Sequence, residues 1–168
     1  MNLLREFLSH HAISSCLVAF SGGADSLCLL LELLRCQKMQ ALRIEVAHVD
    51  HGWREESTKE AAFLAAWAES LSLPFHQKKL ALQGVKGNLE EISRRERYHF
   101  FSQICQERGL QGVMVAHHQG DLAETTLKRF LEGAPCLKLS GMQPVSKQYG
   151  ISVWRPFLSL SRNEIDTL

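Results

Sequence analysis

The sequence predicts an α/β fold, a parallel sheet with helices on both faces. Two observations lead there. Short apolar runs alternate with segments of helical length and period, four times in succession. The first run hands over to its helix through a pair of glycines, at the end of a strand where such sheets place their ligands.

Residues 16–20 (CLVAF) form a compact apolar run, 21–26 (SGGADS) a turn-rich loop, and 27–34 a leucine-rich helix. Residues 43–49 (RIEVAHV) alternate and are β-branched, which predicts a second strand. Ser57 and Glu60 form a capping box ahead of an alanine-rich helix over 58–71, which Pro74 closes. Residues 75–80 are a weaker strand. Gly84 and Gly87 mark a loop before Asn88, an N-cap with Glu91 three residues on, and the next helix runs to Arg108. Residues 113–116 (VMVA) are a fourth strand, and Asp121 with Glu124 marks the start of a helix reaching Glu132. Residues 151–158 could add one more strand. Ser161 and Glu164 then open a helix at which the sequence stops, as in a piece of a longer protein.

Composition narrows the classes. The 168 residues are 45% apolar, enough for one domain over 1–168 with its own core. With 19 Lys and Arg against 18 Asp and Glu, the net charge is +1, so a polyanion must be held by a local patch. No stretch reads as a signal peptide or membrane span. Five cysteines at 16, 28, 36, 105 and 136 are odd in number and include no C-x-x-C pair, which fits a reducing cytoplasm. Oligomerisation stays open.

The loop 21–26 is built to cradle a phosphate. Glycines let main-chain amides approach an anion, and the following helix start adds its dipole. The lysine of the usual nucleoside-triphosphatase loop is missing. An aspartate beside phosphate calls for a cation such as Mg²⁺ between them, which makes Asp25 the metal candidate. A plain helix cap by Asp25 or Ser26 would account for the same residues without chemistry.

Ser21, Gly22, Gly23, Ala24, Asp25 and Ser26 resemble the S-G-G-x-D-S signature of the N-type ATP pyrophosphatases. Residues 47–54 (AHVDHGWR) resemble the H-V-N-H-G-L-R segment of the tRNA(Ile)-lysidine synthetase family, with Asp50 for Asn and Trp53 for Leu. Residues 88–101 (NLEEISRRERYHFF) resemble its N-x-E-x-x-A-R-x-x-R-Y helix, and 116–133 its A-H-H-x-D-D-x-x-E-T stretch. Trp154, Arg155, Pro156, Phe157, Leu158 and Arg162 are similar to its R-P-F-L segment. Ser93 replaces the Ala of the N-x-E-x-x-A-R-x-x-R-Y helix, and the departure that matters is Gly120, which replaces the first aspartate of the D-D doublet.

The resemblance implies a Rossmann-like, adenine nucleotide alpha hydrolase-like fold for an ATP-pyrophosphatase catalytic domain, without the family's C-terminal tRNA-binding domains. It implies that ATP with Mg²⁺ adenylates the C2 oxygen of the wobble cytidine in the CAU anticodon of tRNA(Ile). Free L-lysine then displaces AMP to leave lysidine. The loop 21–26, Ala47, His48 and His117 are the expected nucleotide contacts. Arg94 and Arg97 share a helix face at i, i+3 and could fork onto phosphates, or form a solvated charged face. Asp121 and Glu124 could orient the lysine amine, or serve only as a capping box. Glu124 could equally pair with Lys128 at i, i+4. A tRNA thiolase, an ammonia-dependent synthetase and a nucleotide-binding module without catalysis are the alternatives.

Overall fold

The computed structural model describes residues 2–50, 57–81, 87–133 and 141–168. The predicted elements are present in the predicted order. They are β1 (Ser15–Ala19), α2 (Ala24–Gln37), β2 (Arg43–Asp50), α3 (Ser57–Ser70), β3 (Phe75–Lys79), α4 (Leu89–Arg108), β4 (Gly112–Met114), α5 (Gln119–Leu131), β6 (Ile151–Trp154) and α6 (Arg162–Asp166). Two more were not foreseen, α1 (Asn2–His10) and β5 (Val145–Gln148). His51, Gly52, Trp53, Arg54, Gly84 and Cys136 lie outside the described residues, as does the Ser57 side chain.

The strand order is β3-β2-β1-β4-β6-β5. Every pairing is parallel except β5 with β6, so the expected parallel sheet is present and gains one antiparallel edge strand. Tyr149 and Gly150, both at positive φ (50° and 82°), form the two-residue turn that folds β5 back as an antiparallel edge. Gly112 sits where β4 meets β6, and a Cβ there would lie 2.4 Å from the Ser152 carbonyl oxygen.

Strand alternation divides the core between two faces. Cys16, Val18, Ile44, Val46 and Met114 face α1, α2 and α3 through Leu4, Leu8, Leu29, Leu33 and Leu64. Leu17, Ala47, Val49, Val113 and Val153 face α4 through Tyr98, Phe101, Ile104 and Cys105. After β1 the chain moves one way to β2 and β3, and β4 returns on the other side of β1. A crevice therefore opens at the carboxyl ends of β1 and β4, where open α/β sheets bind ligands.

At the opposite end, Glu45 is fully buried yet charged. Arg43, His76 and Arg108 all bond its carboxylate, His76 Nε2 at 2.7 Å and Arg108 Nε at 3.1 Å. Burial pushes its pKa up, but the hydrogen bonds from His76, Arg108 and Arg43 more than offset this and hold it below the usual carboxylate value. A folded-state pKa that is depressed contributes stability above the unfolded value of about 4.3, lost as pH falls through the folded value. Glu45→Gln is expected to lower the urea midpoint at pH 7. The gap from wild type should close as pH drops below about 4, and a gap independent of pH would contradict the ionised assignment.

Candidate active site

The loop after β1 is shaped by its own hydroxyls. Ser21 Oγ accepts from the Gly23 amide (3.2 Å), while Ser26 Oγ accepts from the Ser21 amide (3.3 Å) and donates to the Gly23 carbonyl (2.9 Å). Gly22 stands at φ +86°, and an added Cβ would press to 3.2 Å from Leu64 Cδ1. Gly23 is the N-cap of α2 and carries no side-chain cap bond, so neither Asp25 nor Ser26 caps the helix. The first helical bond runs from Leu27 N to Gly23 O (3.0 Å). The amides of Ala24, Asp25 and Ser26 precede it and have no intrahelical acceptor, which makes this end an anion site.

Two adjoining cavities open here. The first, of about 230 Å³, is lined by Ser21, Asp25 and Ser26 together with Ala47 and Val49. The second, of about 340 Å³, is lined by Glu90, Arg94, Glu124 and Thr125. Arg97, Tyr98, His117 and Asp121 form the wall they share. The structure thus brings together the loop 21–26, Ala47, Arg94, Arg97, His117, Asp121 and Glu124. His48 stands apart, since its side chain lines neither cavity. It points to the opposite sheet face from Ala47 and Val49, buried beside Phe75, and its Nδ1 donates to the Phe20 carbonyl (2.8 Å). It steadies the chain just before the loop.

Arg94 and Arg97 both lie over the ring of Tyr98, each with its guanidinium carbon 5.6 Å from the centroid. Tyr98 is buried and stacks on Tyr149, and Arg94 Nη2 donates to Gln148 Oε1 (3.3 Å). The β5–β6 turn therefore braces the arginine face from outside α4. Arg97 has no ion pair or hydrogen bond among the described residues, and burial pulls its pKa below the ordinary guanidinium value. It is a cation held ready on the common wall.

The adjacent histidines divide as strand-end geometry predicts. His117 lines both cavities, and its Nδ1 accepts from Arg155 Nε (3.3 Å). Burial first, then Arg155, pushes its pKa down to about 4. His118 caps α5, its Nδ1 accepting from the Gly120 amide (2.9 Å) while its own amide donates to Asp121 Oδ2 (2.8 Å). The helix thus starts at Gln119 and not at Asp121, because the imidazole supplies the cap. A Cβ at Gly120 would sit 2.6 Å from His118 Cε1, so the glycine is what lets the ring lie over the first turn. Asp121 is the reciprocal partner in this capping box. Lys128 pairs with Glu90 across to α4 (2.8 Å), which leaves Glu124 with neither a cap nor a salt bridge among the described residues.

Arg155 and Arg162 were not marked as site residues. Arg162 Nη1 lies 2.6 Å from Asp25 Oδ2, and Asp25 Oδ1 is buried with no hydrogen-bond partner among the described residues. One carboxylate beside an anion cradle suits a cation such as Mg²⁺, which takes one or two protein carboxylates and fills its shell with phosphate oxygens and water.

A mostly parallel sheet with an amide cradle after its central strand, and cations around the adjoining crevice, defines a nucleotide-binding α/β domain. The PP-loop domain model matches residues 2–168, and the chain belongs to this family of ATP-binding domains. It is 41% identical over 167 residues to tRNA(Ile)-lysidine synthase of Protochlamydia amoebophila, covering 98% of this chain and 36% of that protein. The Chlamydia muridarum enzyme of that name is 40% identical over 151 residues, covering 89% and 46%. That of Symbiobacterium thermophilum is 36% identical over 173 residues, covering 98% and 36%. The chain thus spans less than half the length of these relatives. Among solved structures, the U34-tRNA thiolase NcsA from Methanococcus maripaludis superposes with a TM-score of 0.79 at 15% identity, covering 99% of this chain and 60% of that one. A glutamine-dependent NAD⁺ synthetase from Acinetobacter baumannii gives 0.61 at 13%, covering 98% and 30%. At such identities the likeness is one of fold. Among the described residues, no helix is long and apolar enough to cross a membrane.

Proposed function

We propose that this domain carries out the two chemical steps of tRNA(Ile) lysidine formation, adenylation of the wobble cytidine followed by its displacement with lysine. One observation carries the reading: Arg97, without a counter-ion among the described residues, stands on a wall shared by two cavities of different character. One opens on the amide cradle and suits ATP. The other holds the Arg94 and Arg97 guanidiniums and the Glu124 carboxylate, which makes no salt bridge among the described residues, and suits a base with an amine approaching it.

In the first step the cytidine C2 oxygen attacks the α-phosphorus, and the bond to the β-phosphate bridging oxygen breaks with its electron pair leaving on pyrophosphate. The amides of residues 24–26 hold the departing charge. Asp25 would hold Mg²⁺, which when bound neutralises the polyphosphate. Arg97, with Arg94 beside it, faces the α-phosphate, where charge accumulates. In the second step the lysine ε-nitrogen attacks C2, and AMP leaves with the former C2 oxygen. The amine, with an ordinary pKa of about 10.4, must shed its protons, and Glu124 is the carboxylate assigned to orient it and accept one.

The decisive assay is pyrophosphate and AMP release from ATP with tRNA(Ile) and lysine, each omitted in turn. Glu124→Gln is expected to release pyrophosphate at near the wild-type rate while lysine-dependent AMP release falls by about 10²-fold or more. Equal loss in both steps would remove Glu124 from the lysine step. The thiolase alternative would call for a C-x-x-C pair, which the sequence does not contain. Burial pushes Cys16 up to about 12 and Cys105 up to about 11, so those two stay protonated.

A further inference from the structure

Arg155 is the largest side chain this fold buries almost completely, 1% exposed, and it bonds to no carboxylate among the described residues. Its Nη1 donates to the Gln143 carbonyl (2.8 Å) and Ser146 Oγ (2.9 Å), and its Nε to His117 Nδ1 (3.3 Å). A guanidinium only donates, so Nδ1 must present a lone pair, and the single proton of the neutral ring sits on Nε2. The charged groups facing the ring are Arg155 after β6, Arg94 and Arg97 on α4, and Asp121 on α5. Three cations stand against one carboxylate, and Asp121 Oδ2 is already engaged by the His118 amide. A second proton on the ring is strongly disfavoured. Nε2 has no partner among the described residues, and the ring borders both cavities.

We propose that Arg155 is a positioning residue that locks His117 in the tautomer protonated on Nε2, so that His117 offers a hydrogen-bond donor, and not a base, to an anionic phosphoryl oxygen where the two cavities meet. The identity of that oxygen as the α-phosphate rests on the adenylation reading; the tautomer does not. The charge around the ring selects the ligand class, because a donor set among guanidiniums matches a phosphate and not a second cation. It also narrows the chemistry, since proton removal from the lysine amine then falls to a carboxylate.

The test is proton–nitrogen correlation spectroscopy of the imidazoles in the whole 168-residue chain, with His117→Gln identifying the signals of His117. The expected spectrum shows the Nε2–H form alone, with the ring still neutral down to pH about 5, where an ordinary histidine of pKa about 6.5 is mostly charged. An Nδ1–H spectrum, or titration near 6.5, overturns the proposal. Arg155→Lys, which keeps a buried cation and donor, should preserve the tautomer, whereas Arg155→Met should yield a mixture that titrates closer to the ordinary value. Should the methionine variant not fold, wild type and the lysine variant still decide. In the pyrophosphate assay, His117→Phe should lose about 10²-fold, and His117→Gln, which keeps an N–H donor but no basicity, less than about tenfold. Equal losses overturn the donor role. If wild type releases no pyrophosphate with any tRNA, the reaction reading fails alone. AMP then serves as the anionic probe: the proposal stands if it shifts the His117 Nε2–H resonance and falls if it leaves it unmoved.

Discussion

In the Arg97→Met variant, pyrophosphate release is expected to fall by about 10²- to 10³-fold, the loss typical of one missing donor at a developing charge. The same variant should melt higher. A guanidinium withdrawn from water without a counter-ion costs free energy that methionine, of similar length and apolar, does not. Arg97 is in that position, held among the described residues over the Tyr98 ring, with Arg94 as a like charge nearby. A gain of about 1 kcal/mol corresponds to about 2–4 °C in a domain of this size. Calorimetry with the pyrophosphate assay checks both halves. A melting point several degrees lower would show that Arg97 holds the structure together, and unimpaired turnover would remove it from the phosphate.

The sheet was legible because each strand and its following helix carry their signals locally. Apolar runs, Asn88 with Glu91, and Ser161 with Glu164 all found their places, the last as a full capping box on α6. The missed α1 had a signal as well. Leu4 and Leu8, spaced i, i+4, are buried against α2 and Ile13, and Leu3 and Phe7 widen the same stripe. The β5 strand had none. Its four residues are at least partly exposed and are held by pairing with β6 through a turn that only φ values disclose.

Within the site, contiguous and helix-spaced residues were readable, and long-range partners were not. The loop 21–26 is contiguous and Arg94 and Arg97 share a helix face at i, i+3, so the grouping within each was legible in the sequence. Arg162 meets Asp25 across 137 residues and Arg155 meets His117 across 38, because the strand order sets β4 between β1 and β6. No local pattern encodes that order. His118 was obscured for a different reason: a histidine cap is outside the usual Ser, Thr, Asp, Asn set, and it depends on the glycine two residues on. His48 is one strand position from Ala47, which in a β-strand means the opposite face.

Asp25→Asn isolates charge from shape at the cradle. The side chain keeps its volume and an oxygen for Arg162. The ion pair it gives up is half exposed at the arginine and so contributes at most about 1 kcal/mol, too little to unfold the domain. The melting temperature should therefore move by no more than a few degrees. Pyrophosphate release, in contrast, is expected to drop by at least about 10²- to 10³-fold, and raising Mg²⁺ should restore little of it, since a neutral amide is a poor ligand for a hard cation. Binding of ATP in the absence of divalent cations should be unchanged or slightly tighter, because a negative charge beside the phosphates has gone. That opposition separates two roles for the same carboxylate. A residue that only anchors Arg162 would alter stability and nucleotide binding together and leave the Mg²⁺ dependence of turnover as in wild type. Full turnover with an unaltered Mg²⁺ requirement would place the cation away from this loop.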